Sequence, residues 1–303
     1  MERAMRQGAI GIGSNSVRLL IADLIGGEAR PVERLREGTR LFQGLTDGAL
    51  SQESMQRTAF AVASLAETAR AAGCEALHLI ATSAARDALN GADFCALVEA
   101  CCGLPLRIIS GAEEARLSFL GVAAGGYAGV IDLGGGSLEV AVGGAGRALK
   151  AGSAQLGAAR LQRECPDLTG EGLERARALA ESRVREQWAL LGEAEHPPIW
   201  YGVGGTLTCM ASLDKAQPYD RAATEGHCLT REAVSGWARR LAAMTEAERA
   251  ALPGMVPARA DIIAHGAAAL WGAMDALAME QIIVSTKTNL DGCLREAAQG
   301  ILS

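Results

Sequence analysis

One short pattern occurs twice in this chain, roughly 120 residues apart, and it constrains the fold more than any other feature. Residues 10–22 read IGIGSNSVRLLIA, and residues 131–142 read IDLGGGSLEVAV. Each copy consists of an apolar strand, a tight turn of glycine and serine, and a second strand of alternating polarity. Two copies predict a duplicated fold. Their alignment pairs three positions: Gly13 with Gly134, Ser16 with Ser137, and Gly11 with Asp132.

The remaining segments alternate between strand-like and helix-like patterns. Ser51 is a predicted N-cap, and Arg259–Ala278 is typical of a helix. The run Ser110-Gly-Ala-Glu113 fits a capping box that opens a helix ending at about Ala124. Strand, turn and helix in alternation predict an α/β fold.

The length of 303 residues is enough for two domains of ordinary size. We predict a first domain over residues 1–125 and a second over residues 126–303. A C-terminal helix at about 290–303 is expected to pack back onto the first domain.

Composition and charge exclude several classes of partner. The net charge is −6 and aromatic residues make up 4% of the chain, so a general nucleic-acid binder is not expected. The most apolar stretch, Gly266–Met279, is short and contains Asp275, which predicts a core helix and no membrane partner. Met1–Ala9 lacks the apolar core of a signal peptide, and the eight scattered cysteines fit a reducing compartment, so we predict a cytoplasmic protein.

Three glycine-rich turns, each after a predicted strand, are candidates for binding phosphate. They are formed by Gly13, Ser14, Asn15 and Ser16, by Gly134, Gly135, Gly136 and Ser137, and by Gly204, Gly205 and Thr206. Glycine lets the backbone approach a phosphate closely, and consecutive N–H groups form an anion-binding nest. One such turn is usually structural, but three in one chain, two of them related by the repeat, favour phosphate.

Acidic residues near these turns are candidates for metal binding and catalysis. Asp132 ends an apolar strand directly before the second turn, where a divalent cation would compensate its charge. Glu139, on the following strand, is interpreted as a structural residue that faces out. Glu113 and Glu114 open a helix, where both could complement the helix dipole. Glu113 occupies the capping-box position, so Glu114 is the carboxylate available for another role.

Four basic residues are candidate phosphate ligands beside the turns. They are Arg18, Arg86, Arg116 and Lys287. Any one of these is more often a surface charge, but Arg18 and Arg86 directly follow strand–turn segments, where a binding site is expected.

Taken together, eight ordered segments resemble the exopolyphosphatase/guanosine pentaphosphate phosphatase family of the actin–sugar kinase–heat-shock protein superfamily. The resembling residues are 10–24 (IGIGSNSVRLLIADL), 81–90 (ATSAARDALN), 108–122 (IISGAEEARLSFLGV), 130–143 (VIDLGGGSLEVAVG), 156–161 (LGAARL), 202–208 (GVGGTLT), 226–234 (GHCLTREAV) and 252–277 (LPGMVPARADIIAHGAAALWGAMDAL). They cover nearly the whole chain in the family's order. The resemblance implies two duplicated actin-like (ribonuclease H-like) domains with an interdomain cleft.

The resemblance also implies an activity and roles for individual residues. It implies Mg²⁺-dependent removal of terminal phosphates from inorganic polyphosphate or guanosine pentaphosphate. Glu114 matches the family's water-activating base, and Asp132 matches a residue of the magnesium site, with Glu114 as the second candidate metal ligand. Arg86 matches the arginine of A-T-S-A-x-R, and Arg18 the basic residue after the first phosphate loop. Analogy with the family also suggests a homodimer.

The chain departs from the family pattern at three places. Gly11 stands where the first loop usually begins with aspartate, and Leu138 replaces a usual threonine. The late motif S-D-x-G-L-R-D-G reads STKTNLDG over residues 285–292. Loss of one acid is expected to weaken the positioning of magnesium, and Gly11→Asp is then expected to raise activity.

These departures motivate a second hypothesis. The chain could bind polyphosphate or guanosine tetraphosphate as a sensor, with weak or absent turnover. A third hypothesis, a sugar or acetate kinase of the same superfamily, is disfavoured because the motifs match the phosphatases.

Overall fold

The computed structural model describes residues 4–122, 125–192 and 194–301. It divides the chain into two compact units. The first unit contains Met1–Gly121 and Asn289–Ser303, and the second contains Val122–Thr288.

The regular elements alternate along the chain. The strands are β1 (Met5–Ile12), β2 (Ser16–Ile25), β3 (Glu28–Gly38), β4 (Leu45–Thr46), β5 (Ala49–Leu50), β6 (Ala76–Ala81), β7 (Leu106–Ile108), β8 (Ala128–Leu133), β9 (Leu138–Gly144), β10 (Arg147–Ala154), β11 (Trp200–Val203), β12 (Cys228–Thr230) and β13 (Gln281–Val284). The helices are α1 (Gln52–Ala71), α2 (Ser83–Arg86), α3 (Gly91–Cys102), α4 (Gly111–Val122), α5 (Ala158–Glu164), α6 (Gly172–Leu190), α7 (Gly205–Asp214), α8 (Arg221–Thr224), α9 (Arg231–Ala242), α10 (Glu246–Ala250), α11 (Ile263–Ala276) and α12 (Asn289–Ala298).

Each unit is built around a sheet with the same strand order. The first sheet is ordered β3-β2-β1-β6-β7, and the second is ordered β10-β9-β8-β11-β13-β12. In each sheet the first three strands are antiparallel neighbours, and the next two run parallel to the central strand. Strand β12 adds an antiparallel edge to the second sheet only. The α/β prediction and the duplication are therefore confirmed.

The register of the two hairpins confirms the alignment of the two sequence copies. The Gly13 amide donates to the Ser16 carbonyl at 3.0 Å, and the Gly134 amide donates to the Ser137 carbonyl at the same distance. Gly11 and Asp132 both occupy the next-to-last position of the central strand, one residue before the strand ends. The two positions are equivalent in the duplicated fold.

Two predicted helix starts are confirmed by their capping bonds. Ser51 Oγ accepts a hydrogen bond from the Ser54 amide at 3.3 Å at the start of α1, and Ser110 Oγ accepts one from the Glu113 amide at 3.1 Å. The described part of α4 reaches Val122, and the expected helix end at Ala124 lies outside the described residues.

One predicted helix start is wrong. The helix expected from Arg259 begins only at Ile263, because the chain first winds through a 3₁₀ turn at Pro257–Arg259. In this turn the Arg259 amide donates to the Val256 carbonyl and the Ala260 amide donates to the Pro257 carbonyl, which is the tighter spacing of 3₁₀ bonds. Arg259 is therefore a turn residue.

Helix α11 is the central helix of the second unit. Its residues from Ile263 to Met274 are all buried, and it packs against α5, α6, α7 and α9. The polar side chain of Asp275 at its end pairs with Arg177 of α6. Among the described residues, no helix has the length and apolar character needed to cross a bilayer.

The C-terminal helix α12 belongs to the first unit and packs on β1, β2 and β3. Its apolar side meets the sheet through Leu290, Cys293 and Leu294. Two ion pairs fasten it at its ends, since Asp291 pairs with Arg34 and Glu296 pairs with Arg116. The last residues of the expected 290–303 helix, 302 and 303, lie outside the described residues.

Cys293 on α12 gives the first unit a stability that depends on pH in the alkaline range. Burial raises the pKa of this thiol from about 9 to about 12. Below pH 9 the thiol is neutral in both the folded and the unfolded chain. Between pH 9 and 12 it is ionised in the unfolded chain and neutral in the folded chain. We expect the unfolding free energy to fall there by at most about 1.4 kcal/mol per pH unit from this group. Denaturant titrations of Cys293→Ala should show a shallower decline above pH 9, and an equal decline would contradict this account.

Candidate functional site

The first turn, Gly13–Ser16, is held by the segment that follows β3. The Phe42 amide donates to the Ser14 carbonyl at 2.9 Å, and the Thr39 and Arg40 amides donate to the Asn15 carbonyl. Among the described residues, the amides of Ser14 and Asn15 themselves donate no hydrogen bond. Two adjacent N–H groups in a fixed turn form the kind of nest that binds an anion.

Two arginines lie beside this turn on one face of the sheet. Arg18 on β2 is the cross-strand neighbour of Gly11 on one side and of Arg36 on the other. Arg36 Nε donates to Ser16 Oγ at 3.0 Å. Sequence reasoning missed Arg36, because only the register of β3 brings it next to the turn. The first turn is therefore set in a positively charged environment.

Glu114 lies on α4 at the carboxyl end of the parallel strands of the first unit. The Thr82 amide after β6 donates to the Ile12 carbonyl at 3.1 Å, which joins the ends of β6 and β1. Arg86 of α2 follows, and its Nη1 lies 3.2 Å from Glu114 Oε2 and 3.1 Å from the Ile109 carbonyl. Ligands of α/β proteins usually bind at this end of the strands.

The two neighbouring glutamates of α4 have different environments. Glu114 is only 6% exposed and is oriented by the Arg86 guanidinium. Glu113 is more exposed, and its carboxylate pairs with Arg107 at 3.0 Å. Of these two glutamates, Glu114 is the buried one, and a charged hydrogen bond from Arg86 orients its carboxylate. A carboxylate oriented in this way can act as a general base on a water within hydrogen-bond reach.

The second turn, Gly134–Ser137, has the same geometry as the first. The Ala158 amide donates to the Gly134 carbonyl, and the Ala159 and Arg160 amides donate to the Gly135 carbonyl. The Arg160 Nε atom donates to the Gly136 carbonyl at 2.6 Å. In the described part of the chain, the Gly135 and Gly136 amides donate no hydrogen bond, so this turn is a second anion nest.

Asp132 and Glu139 form a pair of buried carboxylates beside the second turn. They lie directly opposite each other on β8 and β9, and they are 6% and 1% exposed. Ser153 Oγ donates to Glu139 Oε1 at 2.8 Å. The interpretation that Glu139 faces out is wrong, because it lies on the same buried face as Asp132. Strand β9 is buried on both faces from Leu138 to Gly143, so alternation along the strand could not assign Glu139 to an exposed face.

This pair fits a magnesium ion. Mg²⁺ is usually bound by one or two carboxylates, with substrate phosphates and waters completing its shell. The described residues contain no group of three or more acidic, histidine or cysteine side chains placed to hold a metal ion. Asp132 and Glu139 beside a phosphate nest match a Mg²⁺ ion bound by two carboxylates and by substrate phosphates.

The third turn, Gly204–Thr206, lies next to Asp132 in the second unit. Gly204 has a φ angle of +104°, and a Cβ atom there would lie 2.5 Å from the Leu133 carbonyl and 3.3 Å from Asp132 Oδ1. The Arg259 guanidinium lies against Gly205, where any side chain would displace it. Sequence reasoning missed Arg259 as a candidate cation because it placed this residue inside a helix.

Gly204 gives a test of this local geometry. We expect Gly204→Ala to lower the unfolding free energy by about 1–3 kcal/mol, because the left-handed backbone and the Leu133 carbonyl both oppose a side chain. Gly236 on α9 is the matched control, because it has open space around it and a helical backbone. Gly236→Ala should stabilise the chain by about 0.5–1 kcal/mol. Equal effects of the two changes in thermal or denaturant unfolding would contradict the described turn.

The two remaining basic residues predicted as phosphate ligands, Arg116 and Lys287, have acidic neighbours. Arg116 pairs with Glu296 of α12 and is thus part of the packing of the first unit. Lys287 lies near Glu225, whose carboxylate accepts bonds from Ser285 and Thr286. Burial raises the pKa of Glu225, but the hydrogen bonds from Thr286 and Ser285 and the Lys287 charge outweigh it, and the net pKa is lowered.

Comparison with known proteins gives one consistent result. A model of the Ppx/GppA phosphatase family matches residues 20–299. The chain is 34% identical over 310 residues to exopolyphosphatase 2 of Mycobacterium tuberculosis, covering 95% of this chain and 97% of that protein. The crystal structure of an exopolyphosphatase-like protein has a TM-score of 0.88 at 26% identity and covers 99% of both chains. A Ppx/GppA family member from Aquifex aeolicus shows the same fold, with a TM-score of 0.82 at 24% identity over 99% of this chain and 100% of that one.

The match extends over most of the chain, and the duplicated strand order agrees with it. This chain belongs to the Ppx/GppA phosphatase family, and its two units have the actin-like fold of that family.

Proposed function

We propose that this chain hydrolyses the terminal phosphoanhydride bond of inorganic polyphosphate in a Mg²⁺-dependent reaction. The observation that carries the proposal is the buried Glu114 carboxylate, held by Arg86 at the carboxyl ends of the first sheet. The relative from M. tuberculosis named exopolyphosphatase supports polyphosphate as the substrate. Guanosine pentaphosphate, which also ends in a phosphoanhydride, is the second candidate substrate.

In the first unit, Glu114 is proposed to take a proton from the attacking water. The water oxygen then forms a bond to the terminal phosphorus, and the bond from that phosphorus to the bridging oxygen breaks. The electron pair of this bond stays on the shortened chain, and orthophosphate leaves. Arg86 holds the Glu114 carboxylate in position, and the amides of Ser14 and Asn15 bind phosphoryl oxygens.

In the second unit, Asp132 is the proposed magnesium ligand, with Glu139 beside it. When bound, the ion neutralises charge on phosphoryl oxygens. The Gly135 and Gly136 amides are proposed to bind a phosphate, and Arg160 keeps their turn in place through the Gly136 carbonyl. The Gly204–Thr206 turn, with Arg259 against it, supplies further donors in the same unit. Metal binding by Glu114 itself, the homodimer and the cytoplasmic location stay predictions.

The proposal is tested by measuring orthophosphate release from polyphosphate and from guanosine pentaphosphate with Mg²⁺ and with EDTA. We expect release that requires Mg²⁺ and a higher kcat/KM for polyphosphate. Release from neither substrate would overturn the proposal, and a higher kcat/KM for guanosine pentaphosphate would reverse the substrate assignment.

A sensor without turnover is the second candidate, and Gly11 is the observation that favours it. The first copy of the repeat lacks the acid that Asp132 provides in the second copy. Calorimetric binding of polyphosphate or guanosine tetraphosphate, measured on the same preparation as phosphate release, separates the two functions. Tight binding without Mg²⁺-dependent release identifies a sensor.

A further inference from the structure

The two copies of the repeat differ at one position that matters for metal chemistry. Asp132 is a buried carboxylate in the second unit, and its equivalent in the first unit is Gly11. The structure shows what lies where the Gly11 side chain would project. A Cβ atom on Gly11 would lie 2.8 Å from Leu290 Cδ2, 3.4 Å from Cγ and 3.6 Å from Cδ1. The leucine side chain thus fills the place that an acid would occupy.

Leu290 is fixed in this place by its surroundings. It is 2% exposed and belongs to an apolar cluster with Ala9, Leu20 and Leu117. The next residue, Asp291, pairs with Arg34 of β3 and so fastens the start of α12 to the sheet. Leu290 is enclosed by this cluster, and the residue after it is tied to β3. Moving the Leu290 side chain away from Gly11 would therefore disturb the core, because protein interiors are closely packed.

The charges around the two equivalent positions are also opposite. Asp132 faces Glu139 across the strand pair, so the second unit offers two carboxylates. Gly11 faces Arg18, and Arg36 follows on the next strand. Two arginines and a leucine provide no ligand for a hard cation, whereas arginines bind phosphate oxygens well.

We propose that Leu290 closes the acid position of the first unit, so that this chain has one metal site, at Asp132 in the second unit. The first turn then binds phosphate through its amides and its arginines, without a metal of its own. This inference rests on the proposed function, because the role of Asp132 is part of that proposal. It also revises the expectation for Gly11→Asp, since the new carboxylate would press against Leu290 and find no room for an ion.

The test combines metal binding with stability in a set of variants. Mn²⁺ binding is followed by electron paramagnetic resonance, which counts bound ions per chain, and the melting temperature is measured on the same samples. The variants are Gly11→Asp, Leu290→Ala, Leu294→Ala, Asp132→Asn, the double change Gly11→Asp/Leu290→Ala, and the control Gly11→Asp/Leu294→Ala. Leu294 is an equally buried leucine one turn further along α12, so its loss creates a similar cavity away from Gly11.

We expect one Mn²⁺ ion per unmodified chain and a large loss of affinity in Asp132→Asn. Gly11→Asp alone should still bind one ion and should lower the melting temperature by about 3–10 °C. Gly11→Asp/Leu290→Ala should also bind one ion, because Arg18 and Arg36 still surround the new carboxylate, and its loss of melting temperature should be smaller than the sum of the two single losses. In the Leu294 control, the losses should add and one ion should bind.

Two results would overturn the inference. They are two ions on the unmodified chain and a second ion on Gly11→Asp alone. If the unmodified chain bound no ion, the assignment of Asp132 would fail. The melting temperatures would still decide whether Leu290 closes the Gly11 position, because additive losses in the Leu290 double variant would contradict it.

Discussion

Replacing Glu114 by glutamine is expected to lower kcat for phosphate release by about 10²–10⁴-fold, with little change in KM. Glutamine keeps the size of the side chain and can still meet Arg86, but it cannot accept the proton of the attacking water. The measurement is the steady-state release of orthophosphate from polyphosphate of defined length. An unchanged kcat would show that Glu114 is not the base.

The neighbouring glutamate provides the control for this variant. Glu113→Gln makes the same chemical change one residue away, on a carboxylate that pairs with Arg107. We expect it to keep kcat within about twofold, because surface ion pairs contribute at most about 1 kcal/mol to stability and this one plays no part in the reaction. If both variants lost activity equally, the effect would lie in the start of α4 and not in the chemistry of Glu114.

Replacing Asp132 by asparagine should lower kcat/KM at fixed Mg²⁺ by about 10²–10³-fold, equivalent to roughly 3–4 kcal/mol of lost transition-state stabilisation. Asparagine keeps an oxygen ligand but lacks the negative charge that holds a divalent cation. Activity measured as a function of Mg²⁺ concentration should show half-saturation at a much higher concentration than in the unmodified chain.

Asp167→Asn is the matched control for Asp132→Asn. Asp167 lies in an exposed loop of the same unit and accepts bonds from Thr169, which asparagine can also accept. Its Mg²⁺ dependence should equal that of the unmodified chain. An unaltered Mg²⁺ dependence in Asp132→Asn would remove this residue from the metal site.

The hairpin repeat predicted the duplication because it is a local pattern. An apolar strand, a glycine turn and a second strand are adjacent in sequence, so the register of Gly13 with Ser16 and of Gly134 with Ser137 follows from the residues themselves. The contrast between Glu113 and Glu114 was predictable for the same reason. Glu113 is the third residue of the helix after its N-cap Ser110, and Glu114 points to another face. The capping box itself is only half formed, because the Glu113 carboxylate pairs with Arg107 and not with the Ser110 amide.

The residues that sequence reasoning missed are those placed by long-range contacts. Arg36 reaches Ser16 only through the register of β3, and Arg259 reaches Gly205 only because a 3₁₀ turn delays the start of α11. Leu290 lies 279 positions after Gly11 in the sequence, and no local pattern shows that it fills the space beside that glycine. Such contacts depend on the packing of whole elements, which periodicity does not specify.

Hydrolysis itself is tested most directly with labelled water. The unmodified chain is incubated with polyphosphate of defined length in H₂¹⁸O, with and without Mg²⁺, and the orthophosphate released is analysed by mass spectrometry. Attack of water on the terminal phosphorus predicts Mg²⁺-dependent release of orthophosphate that contains one ¹⁸O atom. Release without the label, or no release above that in EDTA, would contradict the proposed reaction.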